Sequence, residues 1–452
     1  MKQKDLTHGG IVHNIMLFAL PYILAYFLQI LYGLADLFII GQYCSVDATT
    51  AVSNGAQVMY FVTVVVIGLA MGTTVRMARA VGADDRRWAA QIMGNSITLF
   101  MTLALVLAAV LLLSTKQIVG VMQTPSEAVG GTLDYLMVCF AGIPFIVAYN
   151  IIASVFRGIG DTQTPLFFVI VACVANIALD YLFIGHLGMG PMGAALGTTL
   201  SQTISVLFAI FSISRHKELF NLSWADLKPR KQVLSDILRI GVPVALQDGF
   251  IQVSFILIAI IANTRGLDDA AAVGIVEKII GLLFIVPSAM LSTVSAISAQ
   301  NIGAGHPERA RATMKRAIQI VVAFGSVCVL VVHLFPEVPV RLFTDNAHVA
   351  DQGAAYLSSY SWDCILAGIH FCYSGFFTAY NYSLVSFAHN VISIVTARVP
   401  LSYVFSVCFP LSLFPMGWAA PIGSVVSIIV CVCAYRYMSR KGLLNIGQRT
   451  AE

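Results

Sequence analysis

Charged residues are scarce in this chain of 452 residues: Asp, Glu, Lys and Arg together make up 11%, whereas hydrophobic residues make up 58%. An ordinary soluble domain is about a quarter charged, so this chain cannot present the charged surface that water requires. Its mean hydropathy of +0.85 points the same way. Because lipid is a solvent that needs no such surface, the composition predicts an integral membrane protein.

Several functional signatures are missing as well. No phosphate-binding GxxxxGK[ST] loop occurs, which excludes an ATP-driven motor in this chain and leaves an ion gradient or downhill flow as the energy source. The nine cysteines form no CxxC pair and are not interleaved with histidine, so we expect hydrophobic filler and no metal site. The gaps between apolar runs are too short for an extramembrane catalytic domain, and no enzyme is expected.

Twelve apolar runs are long enough to cross a hydrocarbon core, which takes about 20 helical residues each. Such spans must be helices, because hydrocarbon offers no partner to an open strand edge. The predicted spans lie near 14–41, 50–73, 92–114, 132–156, 165–186, 191–214, 239–263, 272–298, 316–336, 353–380, 386–410 and 416–438.

The basic residues predict the orientation of these spans. With twelve spans, both termini and every even-to-odd loop share one side, and that side carries 21 of the 26 Lys and Arg residues. The opposite loops carry three (Lys116, Arg265 and Arg341), and Lys278 and Arg398 lie inside spans. The positive-inside rule then places both termini in the cytoplasm, so we expect a protein of the cytoplasmic (inner) membrane.

The two halves of the chain resemble each other at a shift of about 220 residues. The motif ALPYIL around Pro21 matches GVPVAL around Pro243, and PMGAALGTTLS at 191–201 matches PMGWAAPIGSVVS at 415–427. An even number of spans per repeat gives both halves the same direction through the membrane. The prediction is an all-α membrane protein of two pseudo-symmetric six-helix bundles, residues 1–222 and 223–452.

Ionisable residues inside spans are costly and usually functional. Asp36 lies near the outer end of the first span and Asp180 near the outer end of the fifth, with Asn176 one helical turn before it. Two carboxylates in one poorly solvated pocket would bind and release a proton or a small cation such as Na⁺. The alternative is that each carboxylate simply snorkels to the end of its span.

Three neighbouring residues add to this candidate site. Tyr32 precedes Asp36 by one turn and Tyr135 lies in the fourth span, where aromatic rings could hold an organic cation or belong to an interfacial belt. Pro21 removes a backbone hydrogen bond within the first span and predicts a hinge there.

The second half has its own polar residues inside spans, for which structural and functional readings weigh equally. They are Asp248 and Gln252 in the seventh span, Glu277 and Lys278 in the eighth, Asp363 and His370 on one face of the tenth, and Arg398 in the eleventh.

Five segments together resemble the multidrug and toxic compound extrusion (MATE) family along essentially the whole chain. They are LADLFIIG around Asp36, FRGIGDTQTP at 156–165, NIALDYLFI at 176–184 with GMGPMGAALGTTLSQ after it, SAISAQNIGAG at 295–305 and ARVPLSYVF at 397–405. The chain is more similar to the DinF-like branch than to the NorM-like branch.

The resemblance implies a V-shaped pair of six-helix lobes that export cationic or amphipathic organic compounds in exchange for H⁺ or Na⁺. It implies a cation site of Asp36, Asn176, Asp180 and Thr198, with Tyr32 and Tyr135 beside it and Pro21 as the hinge. No cofactor or metal is implied. Gln252, Glu277, Asp363 and His370 would line the substrate cavity. NorM-like members carry a glutamate and an aspartate where this chain offers Gln252 and a displaced Asp363, so a NorM-like ion site is not expected there.

Two other functions compete with this one. A flippase for lipids or lipid-linked sugars would use a related two-lobe fold, but it predicts a basic cavity, whereas the charges inside these spans lean acidic. A membrane scaffold or receptor would leave Asp36 and Asp180 without a role. We therefore expect a monomeric antiporter whose partners are a small organic substrate and membrane lipid, with no nucleic acid.

Overall fold

The computed structural model describes residues 5–214 and 222–445, and all regular secondary structure in these two ranges is helical. Helices satisfy their own backbone hydrogen bonds, which is what a lipid-embedded chain requires. The predicted all-α class is confirmed.

The first half begins with a helix of 33 residues and continues through helices of very different length. They are α1 (Ile11–Tyr43), α2 (Val46–Gly82), α3 (Arg86–Leu113), α4 (Thr115–Val121), α5 (Val129–Ala141), α6 (Ile143–Gly158), α7 (Gln163–Asp180), a π-helical turn (Tyr181–His186) and α8 (Gly190–Ser214). Helices α5 and α6 form one span that bends by 49° around Gly142.

The second half repeats this order with more interruptions. Its helices are α9 (Lys231–Asn263), α10 (Leu267–Leu283), α11 (Ile285–Gly303), α12 (Pro307–Leu334), α13 (Val338–Arg341), α14 (Ala347–Tyr360), α15 (Asp363–Ala379), α16 (Ser383–Ser393), a π-helical turn (Ile394–Arg398), α17 (Val399–Cys408), α18 (Phe414–Gly417) and α19 (Ala419–Arg440).

Helix lengths show the repeat directly. Helices α1 and α9 each have 33 residues, and α3 and α12 each have 28. Helix α2 has 37 residues, as does the α10–α11 pair over Leu267–Gly303. Three consecutive elements of equal length in the same order confirm the duplicated six-helix architecture.

Length and composition alone identify ten membrane-crossing helices in the described part of the chain, or eleven when the bent α5–α6 pair counts as one span. The remaining predicted span, 353–380, consists of α14 and α15, which have 14 and 17 residues and break at residues 361–362. Each piece is too short by itself to cross the core, and both carry acidic residues, Asp351 and Asp363.

The chain forms two compact units. Among the described residues, the first unit comprises Asp5 and those within Leu20–Leu238, and the second comprises Leu6–Ala19 and residues 239–445. The opening turns of α1 thus belong to the second unit, and the opening turns of α9 belong to the first.

In the first unit, the segment before α9 is fastened to α3. The side chain of Asn95 donates to the carbonyl of Asp226 (3.1 Å) and accepts from the backbone N–H of Arg230 (2.6 Å). Arg76 and Asp236 form an ion pair. Hydrogen bonds from Ser223 hold the pKa of the Asp226 carboxyl below its ordinary value. This connector is therefore a docked part of the unit.

In the second unit, the segment before α1 is fastened in a comparable way. The backbone N–H of Leu6 donates to the side-chain oxygen of Gln300 (3.4 Å), and Asn301 donates to the Leu6 carbonyl (3.3 Å). Arg309 donates to the carbonyl of Gly9 (3.0 Å). The conspicuous SAISAQNIGAG motif therefore holds the amino-terminal segment of the chain.

Candidate functional site

The first unit brings together the two carboxyl groups that the sequence predicts. Asp36 on α1 is 6% exposed and Asp180, the last residue of α7, is fully buried. The hydroxyl of Thr198 on α8 donates to Asp36 Oδ2 at 3.1 Å. The carboxyl groups of Asp36 and Asp180 are close enough that a proton on either of them would be shared with the other. Three helices therefore converge on one oxygen-rich point.

Most of these oxygens have no protein donor. Within residues 5–214 and 222–445, neither oxygen of Asp180, nor Oδ1 of Asp36, nor either end of the Asn176 amide has a hydrogen-bond partner. Asn176 is also fully buried, as the one-turn spacing from Asp180 predicts. Buried polar groups are normally paired, so this cluster is a place where a proton or cation would complete the bonding.

A glycine that the sequence analysis did not single out shapes the site. A Cβ at Gly197 would lie 2.0 Å from Asp180 Oδ1, so any other residue type would displace this carboxylate. Gly197 immediately precedes Thr198 in the motif AALGTTLS. Only its position next to Thr198 could have drawn attention to it, because a helical glycine in a membrane protein is common.

Two tyrosines, Tyr32 and Tyr135, belong to the predicted site and differ in their surroundings. Tyr32 accepts a hydrogen bond from Gln202 at 3.4 Å, a second residue that the sequence analysis missed. Tyr135 is 3% exposed, and a Cβ at Gly55 would lie 2.2 Å from its ring. Tyr135 is thus enclosed by the protein, while Tyr32 lies on the same face of α1 as Asp36.

The predicted hinge lies at the boundary between the compact units. Pro21 is inside α1, two residues after Ala19, where the chain passes from the second unit to the first. Proline has no N–H to offer the carbonyl four residues earlier, so the backbone ladder of α1 is weakened here. The position agrees with the predicted role and does not test it.

The second unit collects its ionisable residues around an arginine. Arg398 donates to the Tyr360 hydroxyl at 2.7 Å, and its guanidinium lies 4.6 Å from the ring centroid of Phe255. Asp363, 1% exposed, and Glu277 lie within its electrostatic reach. Gln252 lies on α9 one turn before Phe255. The structure therefore gathers Glu277 and Asp363 around Arg398, which the sequence analysis named only as a polar residue of the eleventh span.

Two buried histidines extend this cluster. The rings of His370 and His389 meet edge to face with centroids 5.4 Å apart. His370 shares a hydrogen bond with Ser424 (3.3 Å), and His389 shares one with Ser374 (2.7 Å). At 5% exposure, His370 is enclosed within its own unit in this conformation.

Among the described residues, no group of three or more His, Cys, Asp or Glu side chains is placed to hold a metal ion. The first-unit site has two carboxylates, an amide and a hydroxyl, a set of oxygen donors that fits a proton or a hard monovalent cation.

Comparison with known proteins identifies relatives of this chain. "Probable multidrug resistance protein YpnP" of Bacillus subtilis (strain 168) is 27% identical over 90% of this chain and 91% of its own length. "Multidrug export protein MepA" of Staphylococcus haemolyticus (strain JCSC1435) is 25% identical over 84% of both chains. Both relatives are thus similar along most of their length.

Solved structures share the fold. "Crystal structure of MATE in the bent conformation" superposes with a TM-score of 0.91 over 100% of both chains at 23% identity. A structure described as a MOP superfamily transporter from Pyrococcus furiosus Vc1 also gives 0.91, covering 98% of this chain and 99% of its own. These are transporters with twelve spans in two lobes, which confirms the predicted fold class.

The family comparison also detects the repeat. The MatE family model matches residues 21–182 and, a second time, residues 243–404. The two matches have equal length and an offset of 222 residues, and each begins at a proline, Pro21 or Pro243. Together the matches cover more than half of the chain, and the chain belongs to the MatE family of multidrug efflux transporters, which are transporters and not enzymes.

Proposed function

We propose that this protein is a secondary antiporter of the inner membrane, with cytoplasmic termini, that exports cationic or amphipathic organic compounds in exchange for H⁺ or Na⁺. The observation that carries the proposal is the contact between the buried carboxyl groups of Asp36 and Asp180 in a pocket that offers them few donors. The names of the relatives, multidrug resistance and multidrug export proteins, support the substrate class. They do not favour the flippase alternative.

The electrostatics of the pair give it a coupling role. Two unit charges about 4 Å apart repel by roughly 4 kcal/mol at an effective dielectric constant of about 20. A proton or one monovalent cation removes that repulsion, so the pair alternates between an ion-loaded state and a state open to exchange. Asn176 and Thr198 supply the further oxygens that a bound Na⁺ requires.

The connection from ion to substrate runs along α1. Asp36 is fifteen residues beyond Pro21, about 22 Å along the helix axis. When a proton or cation is bound, the site holds α1 against α7 and α8. When it leaves, α1 is free to bend at Pro21. Tyr32 and Tyr135 in the first unit, and Gln252, Glu277, Asp363 and His370 in the second, are the proposed substrate-recognition residues.

The membrane potential supplies enough free energy to drive export. One elementary charge moving through 100 mV releases about 2.3 kcal/mol, which sustains a concentration ratio of roughly 50. No nucleotide-binding loop is needed.

Export from proteoliposomes, driven by a pH gradient or a Na⁺ gradient in separate experiments, tests this function. We expect one gradient to drive efflux of a cationic dye and Asp36→Asn to abolish it, because the substitution removes one of the two carboxylates whose mutual repulsion a proton or cation relieves. Asp84→Asn is the matched control: Asp84 is exposed and has a φ of 52°, which asparagine tolerates well. Undiminished gradient-driven efflux by folded Asp36→Asn protein would refute the proposal.

A further inference from the structure

A second polar cleft opens in the first unit, far from the carboxylate pair. The cleft is narrow, and its lining includes Tyr22, Tyr26 and Gln29 from one face of α1, together with Tyr149 and Arg157 from α6. Tyr22 precedes Asp36 by fourteen residues, about 21 Å along α1. The cleft is therefore separate from the proposed coupling site and lies toward the end of the unit where α6 ends.

Arg157 brings a buried positive charge into this cleft. Its side chain is 9% exposed, donates to the Ser154 hydroxyl at 2.8 Å and lies 5.2 Å from the ring centroid of Tyr22. Its Nε has no hydrogen-bond partner among the described residues, and no carboxylate described here pairs with it within 4.0 Å. A buried guanidinium without a carboxylate is costly, and an anion would relieve that cost.

The nearest carboxylate along the chain is already engaged. Asp161 accepts from the backbone N–H groups of Gln163 (3.0 Å) and Thr164 (3.1 Å) and from the Thr164 hydroxyl (2.6 Å). It caps the start of α7 and forms no ion pair with Arg157 within 4.0 Å. The motif FRGIGDTQTP thus separates its arginine from its aspartate.

A second donor faces the same space without a partner. Thr162 lines the cleft, is 2% exposed, and its hydroxyl forms no hydrogen bond to any described group. A guanidinium fork and a hydroxyl together match the oxygens of a carboxylate or phosphate. The tyrosine rings around them suit an aromatic or hydrocarbon body attached to that anion.

We propose that this cleft is a binding site for a carboxylate or phosphate group carried on a small aromatic or lipid body, held by Arg157 and Thr162. Two sources share this chemistry: the phosphate of a membrane lipid headgroup and a free organic anion. The site is independent of the Asp36–Asp180 pair, and its test does not require transport.

Binding of benzyl phosphate to the purified full-length chain in an uncharged detergent, measured by saturation-transfer NMR, tests the proposal. We expect saturable binding, whereas benzyl alcohol, which lacks the anion, binds at least ten-fold more weakly. Arg157→Gln should weaken benzyl phosphate by ten-fold or more, and Arg157→Lys by less. Arg87→Gln, the same charge change at an exposed residue, should bind like the unmodified protein.

Thr162→Val keeps the test decisive if Arg157→Gln does not fold. This substitution removes a hydroxyl that has no protein partner, so thermal stability should stay equal or rise while benzyl phosphate binding weakens several-fold. Unchanged binding in both Thr162→Val and folded Arg157→Gln would overturn the proposal, as would equal binding of phosphate and alcohol.

Native mass spectrometry separates the two sources. If the occupant is a lipid, phosphatidylglycerol remains bound to the unmodified protein, is lost in Thr162→Val and is displaced by benzyl phosphate. If it is a free anion, no lipid is retained in this manner while benzyl phosphate still binds.

Discussion

At the scale of single residues, the proposed coupling site depends on Gly197, which has no side chain. Gly197 leaves the space that Asp180 Oδ1 occupies, since a Cβ there would come within 2.0 Å. The contact is with the carboxylate itself, so a Cβ at this position must displace Asp180 Oδ1 from the position that it occupies beside Asp36. A methyl group at this position therefore acts on the coupling chemistry without removing a charge.

We expect Gly197→Ala to lose gradient-driven export by at least ten-fold while remaining inserted and folded. Efflux of a cationic dye from proteoliposomes measures this. Gly249→Ala is the matched control, because a Cβ at Gly249 meets nothing within 4 Å and alanine favours the helix by roughly 0.5–1 kcal/mol. Equal export by Gly197→Ala and Gly249→Ala would show that the carboxylate geometry does not matter.

The residues predicted from the sequence were those whose chemistry is conspicuous in lipid. Asp36 and Asp180 are carboxylates inside spans, and Asn176 shares a face with Asp180 by its spacing. Gly197 and Gln202 carry no charge and act through the neighbours that folding gives them. Arg157 was not singled out, because its position just past a span end placed it among the cytoplasmic loop charges; the last turn of α6 buries it.

At the scale of elements, hydrophobicity located the spans but not the ends of the helices. The second span was predicted at 50–73, yet α2 runs to Gly82, because the polar run that follows stays helical beyond the hydrocarbon. The tenth span was predicted as one helix and is two, since residues 361–362 interrupt it. Transfer to lipid depends on side chains, whereas helix continuity depends on the backbone.

The docked connector before α9 offers a steric test at this scale. A Cβ at Gly94 on α3 would lie 2.3 Å from the Asp226 carbonyl oxygen, so Gly94→Ala must displace the connector. We expect a loss of about 1–3 kcal/mol, the usual cost of overpacking, visible as a lower unfolding temperature in detergent and faster proteolysis within residues 222–230. Gly120→Ala, where a Cβ meets nothing within 4 Å, should leave both unchanged. Equal behaviour of the two variants would contradict a docked connector.

At the scale of the whole molecule, the two halves share one helical architecture but differ in the side chains at equivalent positions of the site. At the offset of 222 residues between the two family matches, Ile258, Arg398 and Ser402 stand where the first unit has Asp36, Asn176 and Asp180. The second unit thus replaces the acid pair with an arginine that faces Glu277 and Asp363. Twelve spans and the two-fold repeat were predictable from hydropathy and motif order. This exchange of charge was not, because it requires knowing which side chains meet.

The arginine of the second unit should be tested together with its carboxylates. Arg398→Met leaves Glu277 and Asp363 without a nearby counter-charge, and we expect a loss of about 3–5 kcal/mol, measured as unfolding temperature and monodispersity in detergent. Adding Glu277→Gln and Asp363→Asn to Arg398→Met should recover most of the loss. If the triple variant is no more stable than Arg398→Met, the three groups do not form one charge cluster.

The fastening of the amino-terminal segment has a consequence for how the protein is made. Leu6 binds Gln300, 294 residues later in the chain. At the usual pace of synthesis, about 5–20 residues per second, the ribosome needs roughly 15–60 s to reach that partner. During that time the whole first unit is inserted, and the backbone N–H of Leu6 has not yet met Gln300. If the gene were divided between the predicted halves, the amino-terminal segment would be translated on a different fragment from the second unit that it binds. The connector before α9 would likewise be separated from the first unit. Neither fragment would therefore contain a complete compact unit.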